Sequence, residues 1–214
     1  YDTELLKDMA IEAVSRENAV LLDLQMVCER ISRVPQATIA KLEGFARGGG
    51  HELALALDMR FAARGKYKFM QMEVGMGILP CGGGASRMAR QTGLGKALEI
   101  ILSANDYDAD DAERFGTINK ALEPDEIGPY VDALARRISK FPAASINACK
   151  QMVYESIDKP IEEALKAEAY WLYQATSKTP AIKRFTVADE QGLEHDIENQ
   201  RNWGDLVMKV QDIN

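Results

Sequence analysis

Two glutamates, each close to a glycine-rich turn, are the residues of this chain whose types and spacing are best suited to chemistry. Glu52 follows the run Gly48-Gly49-Gly50 in the first turn of a predicted helix, and Glu73 lies in an apolar loop-like stretch. Two carboxylates that share an apolar pocket raise the pKa of one of them, so one can act as an acid while the other acts as a base. Glycines expose backbone N–H groups to a ligand, and a helix N-terminus adds positive potential. The combination suits a reaction in which charge develops on an oxygen while a carboxylate moves a proton.

Each of these features also has a plainer interpretation when it is taken alone. The first glycine run could be a flexible connection, Glu52 could serve only the helix dipole, and a lone loop glutamate such as Glu73 is usually solvated. A second run, Pro80-Cys81-Gly82-Gly83-Gly84, is either a simple helix entry or a second helix N-terminus aimed at the same charge. Cys81 is not expected to be a nucleophile, because no second histidine lies nearby in sequence to activate it. The pair of glutamates is therefore more informative than either member.

The residue spacing does not match the motifs of phosphate-binding, dinucleotide-binding or zinc sites. No Gly-Lys-Ser or Gly-Lys-Thr follows the glycines, and the dinucleotide-binding spacing is not met. His51-Glu52 is similar to the start of a zinc-protease helix, but the second histidine of that motif would fall at Leu55. A metal site is therefore not expected, and His51 is predicted to be packed or partly solvated.

The composition bounds the class of protein. The 214 residues are 46% hydrophobic and carry a net charge of −7, which predicts a soluble globular chain and argues against a nucleic-acid surface. No run reaches transmembrane length and the start resembles no targeting peptide, so no membrane partner is expected. Three cysteines are an odd number without framework spacing, which favours a reducing, cytoplasmic compartment.

Hydrophobic periodicity predicts an α/β chain that becomes entirely helical towards its C-terminus. We expect a core over residues 1–140 and a helical region over 141–214, with Phe141-Pro142 at the boundary. Asp108 is the expected N-cap of one helix and Gly116 its stop. The predicted strands cover residues 37–43, 59–63, 67–70 and 117–122. The predicted helices cover residues 2–17, 21–34, about 85–91, 96–103, 125–140, 144–157 and 160–175, besides the Glu52 helix.

From residue 37 to about 122 the chain resembles the crotonase, or enoyl-CoA hydratase/isomerase, superfamily. Four ordered segments carry the resemblance, and their order and spacing make it specific. They are Gly44-Phe45-Ala46-Arg47-Gly48-Gly49-Gly50-His51-Glu52-Leu53-Ala54, Phe69-Met70-Gln71-Met72-Glu73-Val74-Gly75, Gly77-Ile78-Leu79-Pro80-Cys81-Gly82-Gly83-Gly84, and the helix-to-strand segment 109–119. The resemblance implies a spiral of β-β-α turns with a helical C-terminal region that builds trimers or hexamers.

The resemblance also implies roles for individual residues. Gly49, with Gly48 beside it, matches the glycine whose N–H donates to the thioester oxygen, and Cys81 and Gly82 fall in the substrate-binding glycine turn. Glu52 matches the glutamate that activates water at C3, and Glu73 the one that transfers the proton at C2. The implied substrate is an acyl-CoA thioester, and no metal or redox cofactor is implied, since coenzyme A is part of the substrate.

The sequence departs from the family pattern in ways that bear on function. Cys81 replaces a common glycine, Met72 replaces a common proline, and no segment matches the N-terminal strands that supply the second oxyanion donor. We expect those strands to lie in residues that precede Tyr1. An enoyl-CoA hydratase is the first interpretation. A double-bond isomerase that uses Glu73 alone, another crotonase reaction, and a non-catalytic acyl-CoA-binding member remain alternatives.

Overall fold

Six short strands form two three-stranded sheets in the computed structural model, which describes residues 15–192 and 196–212. One sheet has the order β1-β3-β6 and is entirely parallel; the other has the order β2-β4-β5, in which β2 and β4 are parallel and β5 is antiparallel. The strands are β1 (Ile39–Leu42), β2 (Phe45–Arg47), β3 (Met59–Ala63), β4 (Lys68–Met70), β5 (Tyr107–Asp108) and β6 (Lys120–Leu122).

Helices follow the strands in a repeating order. The units β1-β2-α2 and β3-β4-α3 are consecutive, and their first strands pair with each other in one sheet while their second strands pair in the other. Successive turns of the chain are therefore stacked, as in the implied spiral of β-β-α turns. The helices are α1 (Asp23–Ser32), α2 (Gly49–Leu55), α3 (Gly84–Thr92), α4 (Leu94–Ser103), α5 (Ala109–Phe115), α6 (Ile127–Ser139), α7 (Ala143–Ser156), α8 (Ile161–Thr176), α9 (Ala181–Glu190), α10 (Ile197–Arg201) and α11 (Trp203–Leu206).

The core lies where the two sheets meet α2, α3 and α4. Leu55, Phe69, Met88 and Ile100 are almost completely buried there, and the Phe69 ring lies 5.4 Å from that of Tyr107. Burying each side chain of this size contributes about 1.5–3 kcal/mol, so the core holds its strands and helices firmly. Phe69 precedes Glu73 by four residues, and this packing fixes the start of the segment that carries that carboxylate.

The chain divides into two compact units. The first contains the described residues up to Ser32 together with Thr38–Pro129, and the second contains Arg33–Ala37 with residues 130–212. In the second unit, α7 and α8 form a helical hairpin around small buried residues (Ala148, Ala164 and Ala167). The boundary predicted at residue 141 stays a prediction. Across the described ranges, none of the helices combines the length and apolar character needed to cross a membrane.

Several predicted elements need correction. Residues 45–47, between the predicted strand over 37–43 and the glycine run, form β2, and neither β2 nor β5 was predicted. The strand predicted over 117–122 is limited to residues 120–122. Residues 2–14 of the predicted first helix lie outside the described residues, and residues 16–18 form a 3₁₀ turn. The cap and stop of α5 are confirmed: Asp108 accepts a bond from the Asp111 amide at 2.9 Å, and Gly116 has φ +81°.

Candidate active site

The first glycine run forms a sharp turn that starts α2. Gly48 has φ +50° and ψ −125°, a conformation that glycine adopts without strain, and its amide donates to the Met70 carbonyl at 2.9 Å. The Gly48 carbonyl accepts from the amides of His51 and Glu52 and so begins the helix. Gly49 is the first helical residue, and its amide consequently has no acceptor within α2. The turn thus leaves at this position a donor of the kind that the sequence predicts.

Glu52 is buried and held by the second glycine run. Its side chain is 2% exposed, and Oε1 accepts from the amides of Gly82 at 2.6 Å and Gly84 at 2.8 Å. These amides belong to the N-terminal end of α3, where helix geometry leaves backbone donors unpaired and the dipole favours a negative charge. The second glycine run therefore contacts Glu52 directly, a contact that the sequence did not predict.

Side chains cannot be added to that turn without displacing the site. A Cβ at Gly82 would lie 2.4 Å from Leu24 Cδ2 and 2.6 Å from Glu52 Oε2. Real Cβ atoms essentially never approach that closely, so one of the neighbours would have to move. Both atoms lie near the same point, so the Leu24 side chain of α1 is close to the Glu52 carboxylate, next to the turn.

Glu73 reaches the same cluster from the end of β4. Phe69, Gln71 and Glu73 alternate with more exposed residues, and the three are 0%, 0% and 7% exposed. Glu73 Oε1 lies against the first glycine turn, 2.8 Å from the position that a Cβ of Gly48 would occupy. Burial, with the nearby negative charge of Glu52, raises the pKa of Glu73 above its ordinary value. A raised pKa suits a carboxyl group that donates and recovers a proton.

Gln71 and His51 complete the buried cluster. A carboxylate only accepts hydrogen bonds, so the Gln71 amide nitrogen faces Glu73, 2.9 Å from Oε2 and 3.2 Å from Oε1. The amide oxygen then accepts from His51 Nδ1 at 3.1 Å. Burial, assisted by the positive charge of Arg60, lowers the pKa of His51 to about 3, so the ring is neutral. The expectation that His51 is packed is confirmed.

Cys28, Cys81 and Cys149 are all free thiols. Burial and the charges of Glu52 and Glu73 raise the pKa of Cys81, which keeps the thiol protonated at the edge of the cluster. Within residues 15–192 and 196–212, no group of three or more His, Cys, Asp or Glu side chains is arranged to hold a metal ion.

Sequence reasoning missed Gln71, Leu24 and the ion pair between Glu29 and Arg87. Gln71 could have been found from its spacing, because positions 69, 71 and 73 fall on one face of an extended segment. Leu24, and the ion pair of Glu29 with Arg87 that joins α1 to α3, carry no comparable signal, since they meet the site only through tertiary contacts. The described structure therefore brings Glu52 and Glu73 into one buried cluster and adds a histidine and an amide to it.

The chain is similar in sequence to several known proteins. A family model described as enoyl-CoA hydratase/isomerase matches residues 4–203. The crotonyl-CoA hydratase of Syntrophomonas wolfei is 38% identical over 145 residues, which cover 68% of this chain and 55% of that protein. The short-chain-enoyl-CoA hydratase of Clostridium acetobutylicum is 35% identical over 67% of this chain and 54% of its own length. The chain thus spans little more than half of these relatives.

Solved structures share the fold. A crystal structure of an enoyl-CoA hydratase subunit from Geobacillus kaustophilus superposes with a TM-score of 0.77 at 26% identity, covering 89% of this chain and 72% of that one. This likeness confirms the predicted α/β fold class of the crotonase type. A putative enoyl-CoA hydratase from Thermobifida fusca, solved in complex with acetoacetyl-CoA, has a TM-score of 0.68 at 23% identity and covers 72% of this chain and 60% of that one.

Proposed function

The chain belongs to the enoyl-CoA hydratase/isomerase family, and on that premise we propose that it adds water across the C2–C3 double bond of an enoyl-CoA thioester. One observation carries the proposal. Two glutamates with the family's spacing are buried in one cluster and held by hydrogen bonds, Glu52 by two backbone amides and Glu73 by the Gln71 amide. An exposed or scattered pair could not work as an acid and a base on one substrate.

The reaction follows from the chemistry of the two carboxyl groups. Ionised Glu52 takes a proton from water as its oxygen bonds to C3, and the electrons of the double bond move towards the thioester carbonyl. The resulting enolate oxygen is stabilised by the amide of Gly49, a type of donor worth about 2.7–4 kcal/mol. Protonated Glu73 then gives its proton to C2, which restores the thioester and leaves Glu73 ionised and Glu52 protonated. A proton that passes from Glu52 back to Glu73, directly or through water, returns both groups to their starting states. The raised pKa of Glu73 supports this assignment, because it keeps the proton available.

The test replaces Glu52 by glutamine. Glu52→Gln keeps the size of the side chain and removes the base that activates water, so the hydration rate of crotonyl-CoA should fall by about 10²–10⁴-fold. Movement of a double bond from C3 to C2 of a 3-enoyl-CoA needs Glu73 and should largely survive. Glu43→Gln is the matched control, since Glu43 lies at the surface, 3.0 Å from Lys41.

The outcomes separate the rival functions. Isomerisation without any hydration by the unaltered chain would favour a double-bond isomerase. Binding of CoA esters without turnover would favour a non-catalytic member of the family. Hydration that is unchanged in Glu52→Gln would refute the role given to Glu52.

The proposed partners are an acyl-CoA thioester and further copies of the chain. The acetoacetyl-CoA complex of the Thermobifida fusca relative supports the first, and we propose no metal or redox cofactor for the reaction. A homotrimer or a hexamer is proposed for the assembly. Supporting it, the hairpin of the second unit exposes large apolar side chains, a feature typical of association surfaces (Val153, Ile157, Leu165, Leu172 and Tyr173). Light scattering on a size-exclusion column should give three or six chain masses, and a monomer would contradict the proposal.

A further inference from the structure

We propose that Gln71 is a positioning residue for Glu73, and that His51 holds the Gln71 amide in the orientation this requires. The inference rests on the proposed function, since it concerns which oxygen of Glu73 exchanges a proton with the substrate. Its basis is a line of three buried polar side chains, His51, Gln71 and Glu73. In this line the His51 ring contacts the Gln71 amide, and the Gln71 amide contacts the Glu73 carboxylate.

The first contact in this line sets which oxygen of Glu73 is occupied. The Gln71 amide nitrogen lies 2.9 Å from Oε2 and 3.2 Å from Oε1, so its stronger bond is to Oε2. Oε1 lies against Gly48, beside the turn whose next amide is the proposed oxyanion donor. Because Oε2 accepts the shorter of the two hydrogen bonds, the proton of the carboxyl group belongs on Oε1. The contact therefore directs the acidic oxygen towards the reacting atoms.

The second contact sets the orientation of the amide. The Gln71 oxygen accepts from His51 Nδ1 at 3.1 Å, which requires the single N–H of the neutral ring to be on Nδ1. His51 Nε2 is buried and has no hydrogen-bond partner among the described residues, which also suits a bare nitrogen rather than an N–H. His51 is fixed in turn by the first turn of α2 and by the Phe69 ring, whose centroid is 4.5 Å away. A rotated Gln71 amide would place its oxygen against the carboxylate.

These contacts lead us to expect a specific pH dependence of the free enzyme. A hydrogen bond to the ionised form lowers the pKa of a carboxyl group, so the Gln71 amide opposes the effect of burial on Glu73. In the dehydration direction Glu73 must be ionised, because there it removes the proton from C2. Loss of the amide should therefore make dehydration fail at higher pH than in the unaltered chain.

The experiment measures kcat/KM for dehydration of 3-hydroxybutyryl-CoA against pH. Gln71→Met keeps a similar volume without an N–H, and the acid limb of its profile should move up by about one pH unit, as expected for one charge-assisted hydrogen bond. Gln91→Met is the matched control, because the Gln91 amide donates to the Leu55 carbonyl at 3.1 Å and not to a carboxylate. Its acid limb should coincide with that of the unaltered chain. An unshifted limb in Gln71→Met would overturn the proposal.

A second measurement does not depend on activity. Nitrogen-15 spectra of the histidine rings distinguish the two neutral tautomers, and the chain has only two histidines. His51 should show its proton on Nδ1, and a proton on Nε2 would overturn the proposed orientation of Gln71. A chain with the Nδ1 tautomer that turns over neither crotonyl-CoA nor 3-hydroxybutyryl-CoA would refute the proposed function while supporting the hydrogen-bond line itself.

Discussion

Adding one methyl group at Gly84 tests how tightly the buried cluster is packed. A Cβ there would lie 2.8 Å from Glu52 Oε1, 2.9 Å from the Gln71 amide and 3.0 Å from Pro80 Cβ. Two of these three neighbours are hydrogen-bonded polar groups at the core of the site, and the third is part of the turn. None of them is the free end of a flexible surface side chain, so the methyl group cannot be accommodated without moving the site.

The change in the free energy of unfolding expected for Gly84→Ala follows from two opposing effects. Replacing glycine by alanine in a compatible helical position stabilises a protein by about 0.4–1 kcal/mol, because the unfolded chain loses freedom. Overpacking a well-packed interior costs about 1–3 kcal/mol. Gly84→Ala should therefore lower the free energy of unfolding by about 1–2 kcal/mol. Gly95→Ala should raise it by a few tenths to about 1 kcal/mol, since nothing lies within 4 Å of the added atom in α4.

Urea titration followed by circular dichroism measures both variants, and crotonyl-CoA hydration gives a second readout. Displacing Glu52 from the Gly82 and Gly84 amides should lower the hydration rate of Gly84→Ala by about 10–100-fold, or about 1.4 kcal/mol for each factor of ten. Gly95→Ala should keep the unaltered rate. If Gly84→Ala proved as stable as Gly95→Ala and retained its activity, the cluster would not have the rigidity on which the proposed chemistry depends.

Two further predictions concern the groups that surround the site. Because burial and the charge of Arg60 lower the pKa of His51 to about 3, the unfolded chain binds a proton from about pH 6.5 downwards that the folded chain does not. The free energy of unfolding should therefore fall by about 1.4 kcal/mol per pH unit as the pH drops from 6 to 4, and a His51→Asn variant, measured by urea titration, should lack this contribution. Arg60→Met should cost about 2–4 kcal/mol, because the buried guanidinium donates to the carbonyls of Leu57 and Thr117. The same change at the more exposed Arg64 should cost under about 1 kcal/mol, and equal shifts in melting temperature would contradict the distinction.

Local signals were sufficient to place most of the described helices up to residue 176 and both ends of α5. Asp108 and Gly116 could be assigned from sequence because a cap and a stop involve residues three or four positions away. The strands β2 and β5 were missed because each is two or three residues long and pairs with β4, and no periodicity is visible over so short a stretch. Their hydrogen-bond partners are distant in sequence, so the chain itself contains no local sign of them.

The cluster of glutamates also combines features that have a local sequence signal with features that depend on distant residues. Residue types and spacing picked out Glu52 and Glu73, the resemblance gave them roles, and the alternation from Phe69 onwards could have added Gln71. The amides of Gly82 and Gly84 are 30 and 32 residues from Glu52, and their donation to its carboxylate depends on how α2 and α3 pack. A glycine turn in a sequence indicates that a backbone can approach something closely, and the tertiary structure decides what it approaches.

The two carboxyl groups have different hydrogen-bond donors, and this difference favours a different catalytic task for each. Glu52 accepts from two backbone amides at the N-terminal end of α3, and the positions of these donors are fixed by the backbone. Glu73 has one side-chain amide beside it, and burial raises its pKa, so its protonated and ionised forms are closer in free energy. A group of the first kind suits a base that must begin ionised, and one of the second kind suits a proton carrier that changes state at carbon in each turnover. The contacts alone thus support giving water activation to Glu52 and C2 proton transfer to Glu73.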